Sequence, residues 1–373
     1  MNFLQLSILL LLLLIFLNLI QNIRNLREEE KVTLKQPLPL ISVLIPARNE
    51  EKNIKKCVSS LLNSDYPLLE IIVLDDDSSD RTWEIITEMS LKDSRIRAIK
   101  GKKLPSGWAG KCWACHQLSL AARGEWLLFT DADTLHKSNS ISKALAIAQK
   151  RSSNLVTCVP GLITKTWSEK LFLPIIHFAF FALFPYNIIN YKENSRFPFG
   201  IGPFLFIQKN FYFSLGGHLS IKDSLLDDME LAQRVMKEGG KITVIDGTKI
   251  VEVRFATCFQ EVWKGFSKNT YEFVGNPLYL LMIYFCFYFV FVYPYLLLFS
   301  SIFSKRGFLL PLLQVVTISL TKIILSLRFK TNFIYGQLHP LSVVFAYLIL
   351  FNSFRLYMLK KKIEWKERYY PVE

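Results

Sequence analysis

The stretch EWLLFTDADT, Glu125–Thr134, decides the fold. Its first half is a short apolar run, and its second half carries two carboxylates, Asp131 and Asp133. An apolar run that stops abruptly at polar residues reads as a buried strand with a charged carboxyl end. Two upstream stretches have the same form: LISVLIPARNE, Leu40–Glu50, and LEIIVLDDDSSD, Leu69–Asp80. Helical patterns follow the three runs at Glu51–Leu62, Arg81–Leu91 and Ser138–Lys150. Strands alternating with helices predict an α/β domain whose mainly parallel sheet is covered on both faces. In such sheets ligands bind beyond the carboxyl ends of the strands, where these charged residues gather.

Each strand end carries its own chemistry. IPARNE, Ile45–Glu50, opens a helix whose first N–H groups offer themselves to an anion, with Arg48 adding a positive charge; an ordinary capped helix is the plainer alternative. Asp75, Asp76 and Asp77 are adjacent and repel one another, so they need water or partners such as a ribose, a uracil N–H or a cation. Otherwise they form a solvated turn in which Asp80 caps the next helix. Residues two apart on a strand point the same way, so Asp131 and Asp133 are expected to face one ligand. Two hard oxygen donors suit Mg²⁺ or Mn²⁺ bridging a diphosphate.

SLLDDMELAQRVMKEGGKI, Ser224–Ile242, reads as an acidic start, an amphipathic helix and a glycine stop. Asp227 and Asp228 either serve the helix dipole or supply a base for an acceptor hydroxyl. FQEVWKGFSKN, Phe259–Asn269, is aromatic and basic, either a plain interfacial helix or a lid bringing Trp263, Lys264 and Lys268 over a diphosphate.

The chain has 373 residues, 51% hydrophobic and 14% aromatic, with a net charge of +14. This composition fits one sizeable domain with membrane segments rather than a soluble protein. The basic excess belongs to the flanks of membrane spans, and no aromatic-interleaved basic module points to nucleic acid. Phe3–Ile20 is uncharged; at about 1.5 Å per residue it reaches roughly 27 Å, close to a bilayer core of about 30 Å. It lacks a signal-peptide pattern and reads as an uncleaved anchor. Arg24, Arg27, Lys31 and Lys35 follow it and place the next domain on the cytoplasmic side. Further apolar runs span Pro277–Phe303, Phe308–Leu327 and Phe333–Phe354, the first kinked at Pro294 and the last broken at His339–Pro340. Three full spans would expose the basic tail outside, so one of them is expected to be re-entrant or interfacial. Leu171–Asn190, broken by Pro174 and Pro185, is read as an interfacial helix rather than a span. The organisation expected is a membrane anchor at 1–23, an α/β domain at 36–256, an amphipathic segment at 257–276, membrane helices at 277–359 and a basic cytoplasmic tail at 360–373.

In order and spacing, IPARNE, VLDDDSSDRT, GWAGKCWA, FTDADT and LDDMELAQRV resemble a membrane-bound family 2 glycosyltransferase, and the later motifs resemble its carotenoid- and hopanoid-associated branch. The resemblance implies a glycosyltransferase A-type, Rossmann-like fold and inversion at the anomeric carbon. It implies that Pro46, Ala47, Glu50 and Asp76 hold the nucleotide, to which the reading of the strand ends adds Arg48 and Asp75, that Asp131 and Asp133 hold the metal, and that Asp228 is the base. Asp131 would also touch the nucleotide sugar. Asp227 stands where the family has Glu and is grouped with Trp263, Lys264 and Lys268 as a candidate lid. The segment QEVWK departs from the Gln-x-x-Arg-Trp of polymer synthases, which argues against a polymer product.

Cys112 and Cys115, with His116, match a haem-attachment pattern. The resemblance instead makes Gly110 and Lys111 a diphosphate contact and the cysteines apolar helix residues, with no haem. The function implied is transfer of a hexose, UDP-glucose being the expected donor, to a hydroxyl or carboxyl of a carotenoid- or hopanoid-like lipid. The alternatives are a polyprenyl-phosphate sugar transferase and a non-enzymatic scaffold that binds nucleotide sugar.

Overall fold

A computed structural model describes residues 2–28, 33–185, 199–304, 307–359, 363–365 and 368–370. The chain divides into two compact units, one of residues 26–163 and 187–254, the other of residues 1–25, 164–186 and 255–373.

The first unit is built on an eight-stranded sheet. Its strands are β1 (Ile41–Ala47), β2 (Leu69–Asp75), β3 (Ile96–Lys100), β4 (Trp126–Phe129), β5 (Thr134–His136), β6 (Leu155–Leu162), β7 (Leu205–Gln208) and β8 (Ile242–Val253). They lie in the order β3-β2-β1-β4-β7-β6-β8-β5. β3, β2, β1 and β4 run parallel, as do β6 and β8, while β7 is antiparallel to both its neighbours and β5 to β8. The mainly parallel sheet expected from the alternation is present, with β7 and β5 as antiparallel insertions. Residues of β1 and β2 are buried almost without a break rather than alternately, the mark of a sheet covered on both faces. Register does the positioning: Ala47 pairs with Asp75 and Leu44 with Phe129, so three strands deliver their carboxyl ends together.

Two boundaries differ from expectation. The first helix of this unit runs Ile54–Leu62 and not from Glu51. The N–H groups of Glu50 and Glu51 are taken by the Thr82 hydroxyl at 2.8 Å and the Asp80 carboxylate at 3.0 Å, so they are not free to bind an anion. Strand β4 ends at Phe129, which leaves Asp131 and Asp133 in the turn before β5 rather than two apart on a strand. The Thr134 N–H donates to the Asp131 carbonyl at 3.2 Å across that turn.

In the second unit, four helices among the described residues are long and apolar enough to cross a membrane: Phe3–Asn25, Pro277–Ser304, Leu309–Phe329 and His339–Met358. Length therefore singles out none of the three C-terminal runs as re-entrant. The first of these runs carries a π-helical turn at Tyr288–Val292, shortly before Pro294. Proline has no N–H to return to the preceding turn, which accounts for the irregularity. A break at Leu338 precedes Pro340, as the His-Pro pair predicts. Leu171–Asn190 is not one continuous helix. Its described part forms the end of Trp167–Phe172, then Pro174–Phe178 and a π-helical turn, Ala179–Leu183; residues 186–190 lie outside the described residues. Asn18 and Asn22 of the N-terminal helix donate to carbonyls of Phe181, Ala182 and Phe184, satisfying backbone groups that the irregular turn leaves open. Lys31 and residues 360–362, 366–367 and 371–373 of the tail also lie outside the described residues. Residues 363–365 and 368–370 pair as a two-stranded antiparallel ribbon.

Candidate active site

Two groups of side chains stand at the strand ends of the first unit. The first joins the ends of β1 and β2. The Asp76 N–H donates to the Ala47 carbonyl at 2.8 Å, and Asn49 and Ser79 are hydrogen-bonded across the gap. Asn49 and Asp77 adopt positive φ, which short polar side chains tolerate. Arg48 donates to the carbonyls of Asp76 and Asp77, both at 2.7 Å, and pairs with the Asp77 carboxylate at 3.6 Å. It braces the turn where an anion contact was expected.

The three adjacent aspartates are separated by environment. Asp75 is fully buried against the Lys100 ammonium at 2.9 Å, Asp76 is buried, and Asp77 is 89% exposed. Glu50 accepts from the Asn53 side chain at 2.9 Å, and Asp80 accepts from the Thr82 N–H at 3.0 Å where the helix Thr82–Lys92 begins. Pro46 and Ala47 close β1 beside them.

The second group is centred on Lys111, at the start of the helix Gly110–Ala121. Its ammonium lies 3.0 Å from Asp131 and 3.4 Å from Asp227. Burial alone would lower the lysine; Asp131, Asp227 and Asp228 outweigh it and hold the ammonium well above its usual range. Asp227 and Asp228 open the helix Asp227–Lys237. Burial acts to raise Asp227, but Lys111 and then His218 prevail and bring it down to about 2. Asp228 accepts the Gly202 N–H and the Met229 N–H, both at 2.8 Å. Burial first, then the charge of Asp227, pushes Asp228 up to about 6. A carboxylate held near neutrality beside an ammonium is suited to accept a proton.

Gly200 and Gly202, which the sequence pattern did not single out, make this geometry possible. A Cβ on Gly200 would sit 1.8 Å from the Asp228 carbonyl oxygen. One on Gly202 would sit 3.1 Å from Asp131, 3.2 Å from Lys111 and 3.4 Å from Asp228. The only signal was two glycines in a polar-poor stretch, GIGPF. The loop is tied to the end of β4 by the Thr130 hydroxyl, which donates to the Pro203 carbonyl at 2.8 Å and accepts from His136 at 3.0 Å. Burial pushes His136 down to about 3, so its ring is neutral.

Asp227 is buried beneath this cluster and cannot act as a lid residue. Trp263, Lys264 and Lys268 belong to the other unit, on the helix Phe259–Val274. On that helix, Phe259 stacks on Trp167, Trp263 and Phe345 at centroid distances of 5.7, 6.1 and 5.5 Å.

Cys112 and Cys115 are buried on the Gly110–Ala121 helix, as the apolar reading expects, and the Cys112 thiol lies 3.3 Å from the Ser224 carbonyl. His116 packs against Trp108 and Trp113. Asp133 sits half-buried in the turn after β4, and the side chain of Asp131 is 30% exposed. Two carboxylates on a partly open turn are the hard oxygen donors that a divalent cation takes, so the residues fit Mg²⁺ or Mn²⁺ in kind.

Residues 42–213 match the family model described as glycosyl transferase family 2. The 4,4'-diaponeurosporenoate glycosyltransferase of Staphylococcus aureus (strain USA300) is 27% identical over 349 residues, covering 89% of this chain and 88% of that protein. Its counterpart in strain MRSA252 is 26% identical over the same shares. Among solved structures, a mannosyltransferase from Pyrobaculum calidifontis in complex with GDP-Man and Mn²⁺ superposes with a TM-score of 0.50 at 18% identity, over 92% of this chain and 99% of that one. That likeness shows the fold.

Proposed function

We propose, from the match of residues 42–213 to the glycosyl transferase family 2 model, that the chain moves a hexose from a nucleotide sugar, UDP-glucose in the first instance, to a membrane lipid with inversion. The observation that carries the reading is Asp228, held by two backbone N–H groups beside the Lys111–Asp131 pair. Asp228 takes the proton of an acceptor hydroxyl, whose oxygen attacks the anomeric carbon as the bond to the diphosphate breaks. Lys111 supplies positive charge for the departing diphosphate. Asp131 and Asp133 would hold a divalent cation, which when bound neutralises diphosphate charge. Pro46, Ala47, Arg48, Glu50, Asp75 and Asp76 of the first group are assigned to the nucleotide.

A lipid acceptor is supported by the four apolar helices, by the aromatic stack around Phe259 and by the name that the Staphylococcus aureus relatives bear. Basic Arg24, Arg27, Lys31 and Lys35 support a cytoplasmic catalytic domain at 36–256. An acceptor that arrives as a carboxylate has no proton to remove. The test is therefore labelled UDP-glucose with Mg²⁺ and Mn²⁺ on membranes holding the native chain or Asp228→Asn. A solvent-extractable labelled lipid from the native chain is expected. No labelled lipid from this or any other nucleotide sugar would sink the reading.

A further inference from the structure

His218 is fully buried, and among the described residues its Nε2 has no hydrogen-bond partner; the Asp227 carboxylate is 3.8 Å away. Its Nδ1 lies 2.7 Å from the Tyr212 hydroxyl, which is itself buried and accepts the His218 backbone N–H at 3.0 Å. We propose that Tyr212 and His218 form a buried positioning pair, in which Tyr212 donates to Nδ1 so that the imidazole presents Nε2–H to Asp227.

The Tyr212 oxygen accepts the His218 N–H, and its own proton is within reach of Nδ1 and of the Ser119 hydroxyl, which itself donates to the His116 carbonyl at 2.7 Å. The opposite tautomer would aim a lone pair at a carboxylate, which is repulsive. Asp227 also shares Lys111 with Asp131, so when Lys111 turns toward a diphosphate, His218 remains to hold Asp227. The gap of 3.8 Å is longer than a hydrogen bond. The pair thus keeps the residue next to the base in place during turnover, an inference that rests on the proposed function.

A metal ion is the competing occupant, because donor atoms of Cys115, His218 and Asp227 lie within 4.8 Å of one another. It would need the Nε2 lone pair and a thiolate. Burial holds the Cys115 thiol well above its usual range, with Asp227 adding to the effect.

The test uses the full chain in lipid bilayers, with ¹⁵N-labelled histidine at pH 8; the chain has five histidines. The His218 signal, identified by its loss in His218→Gln, is expected to show the Nε2–H tautomer, and Tyr212→Phe is expected to shift it toward Nδ1–H. A native Nδ1–H tautomer, or stoichiometric zinc binding that Cys115→Ser abolishes, would overturn the pair. In turnover, His218→Gln should stay within about threefold of native kcat, while His218→Leu should lose about tenfold or more at unchanged donor KM. Equal kcat in both variants, with both folded by thermal unfolding, would also overturn it. If the native chain transfers no sugar, the functional reading fails while the tautomer still decides the pair.

Discussion

Asp228 has the sharpest consequences at the scale of single residues. With a hydroxyl acceptor, Asp228→Asn should lower kcat by about 10²- to 10⁴-fold, the usual contribution of a general base, while donor KM stays near native. Near-native turnover would remove the base assignment. The acid limb is a second prediction. Asp228 must be ionised to accept a proton, and burial with the Asp227 charge lifts it to about 6. Transfer should therefore fall about tenfold per pH unit below about 6 and level off above about 7, as read from kcat/KM against pH. A flat profile through that range would break the link between Asp228 and the rate. The acids were visible in the sequence one by one, but their partners were not: Lys111 reaches Asp227 across a long stretch of chain, and no local pattern announces it.

Elements matter where two backbones meet. Gly200 lies against the first turn of the Asp227–Lys237 helix, where a methyl group would come 1.8 Å from a carbonyl oxygen. Gly200→Ala should displace that helix start, destabilise the chain by about 1–3 kcal/mol and depress transfer; thermal unfolding and initial rates check both effects. In the second unit, the buried Asn22 donates to the Phe181 and Phe184 carbonyls at 2.9 and 2.8 Å. Asn22→Leu should cost about 1 kcal/mol in detergent unfolding, in line with polar contacts between apolar helices. Element type was legible from periodicity, but the start of the Ile54–Leu62 helix was not. At that boundary Thr82 and Asp80, far along the chain, take the N–H groups of Glu50 and Glu51, which no local pattern announces.

For the whole molecule, the divalent cation is the most direct test. Chelation should stop lipid labelling and restored Mn²⁺ or Mg²⁺ should recover it, with Asp133→Ala weakening donor affinity only when metal is present. Identical donor titrations with and without chelator would exclude a metal role for Asp131 and Asp133. By itself, the sequence determined the alternation of strands and helices, the apolar membrane runs and the placing of acids after strands, because side-chain periodicity and charge are local properties. Only the tertiary structure decided that Asp131 and Asp133 share a turn, that Arg48 braces the turn of Asp76 and Asp77, and that Gly200 and Gly202 lie against Asp228. Arg48 meets Asp76 and Asp77, and Gly200 and Gly202 meet Asp228, across long stretches of chain, and these relations exist only once the fold has brought the strand ends together.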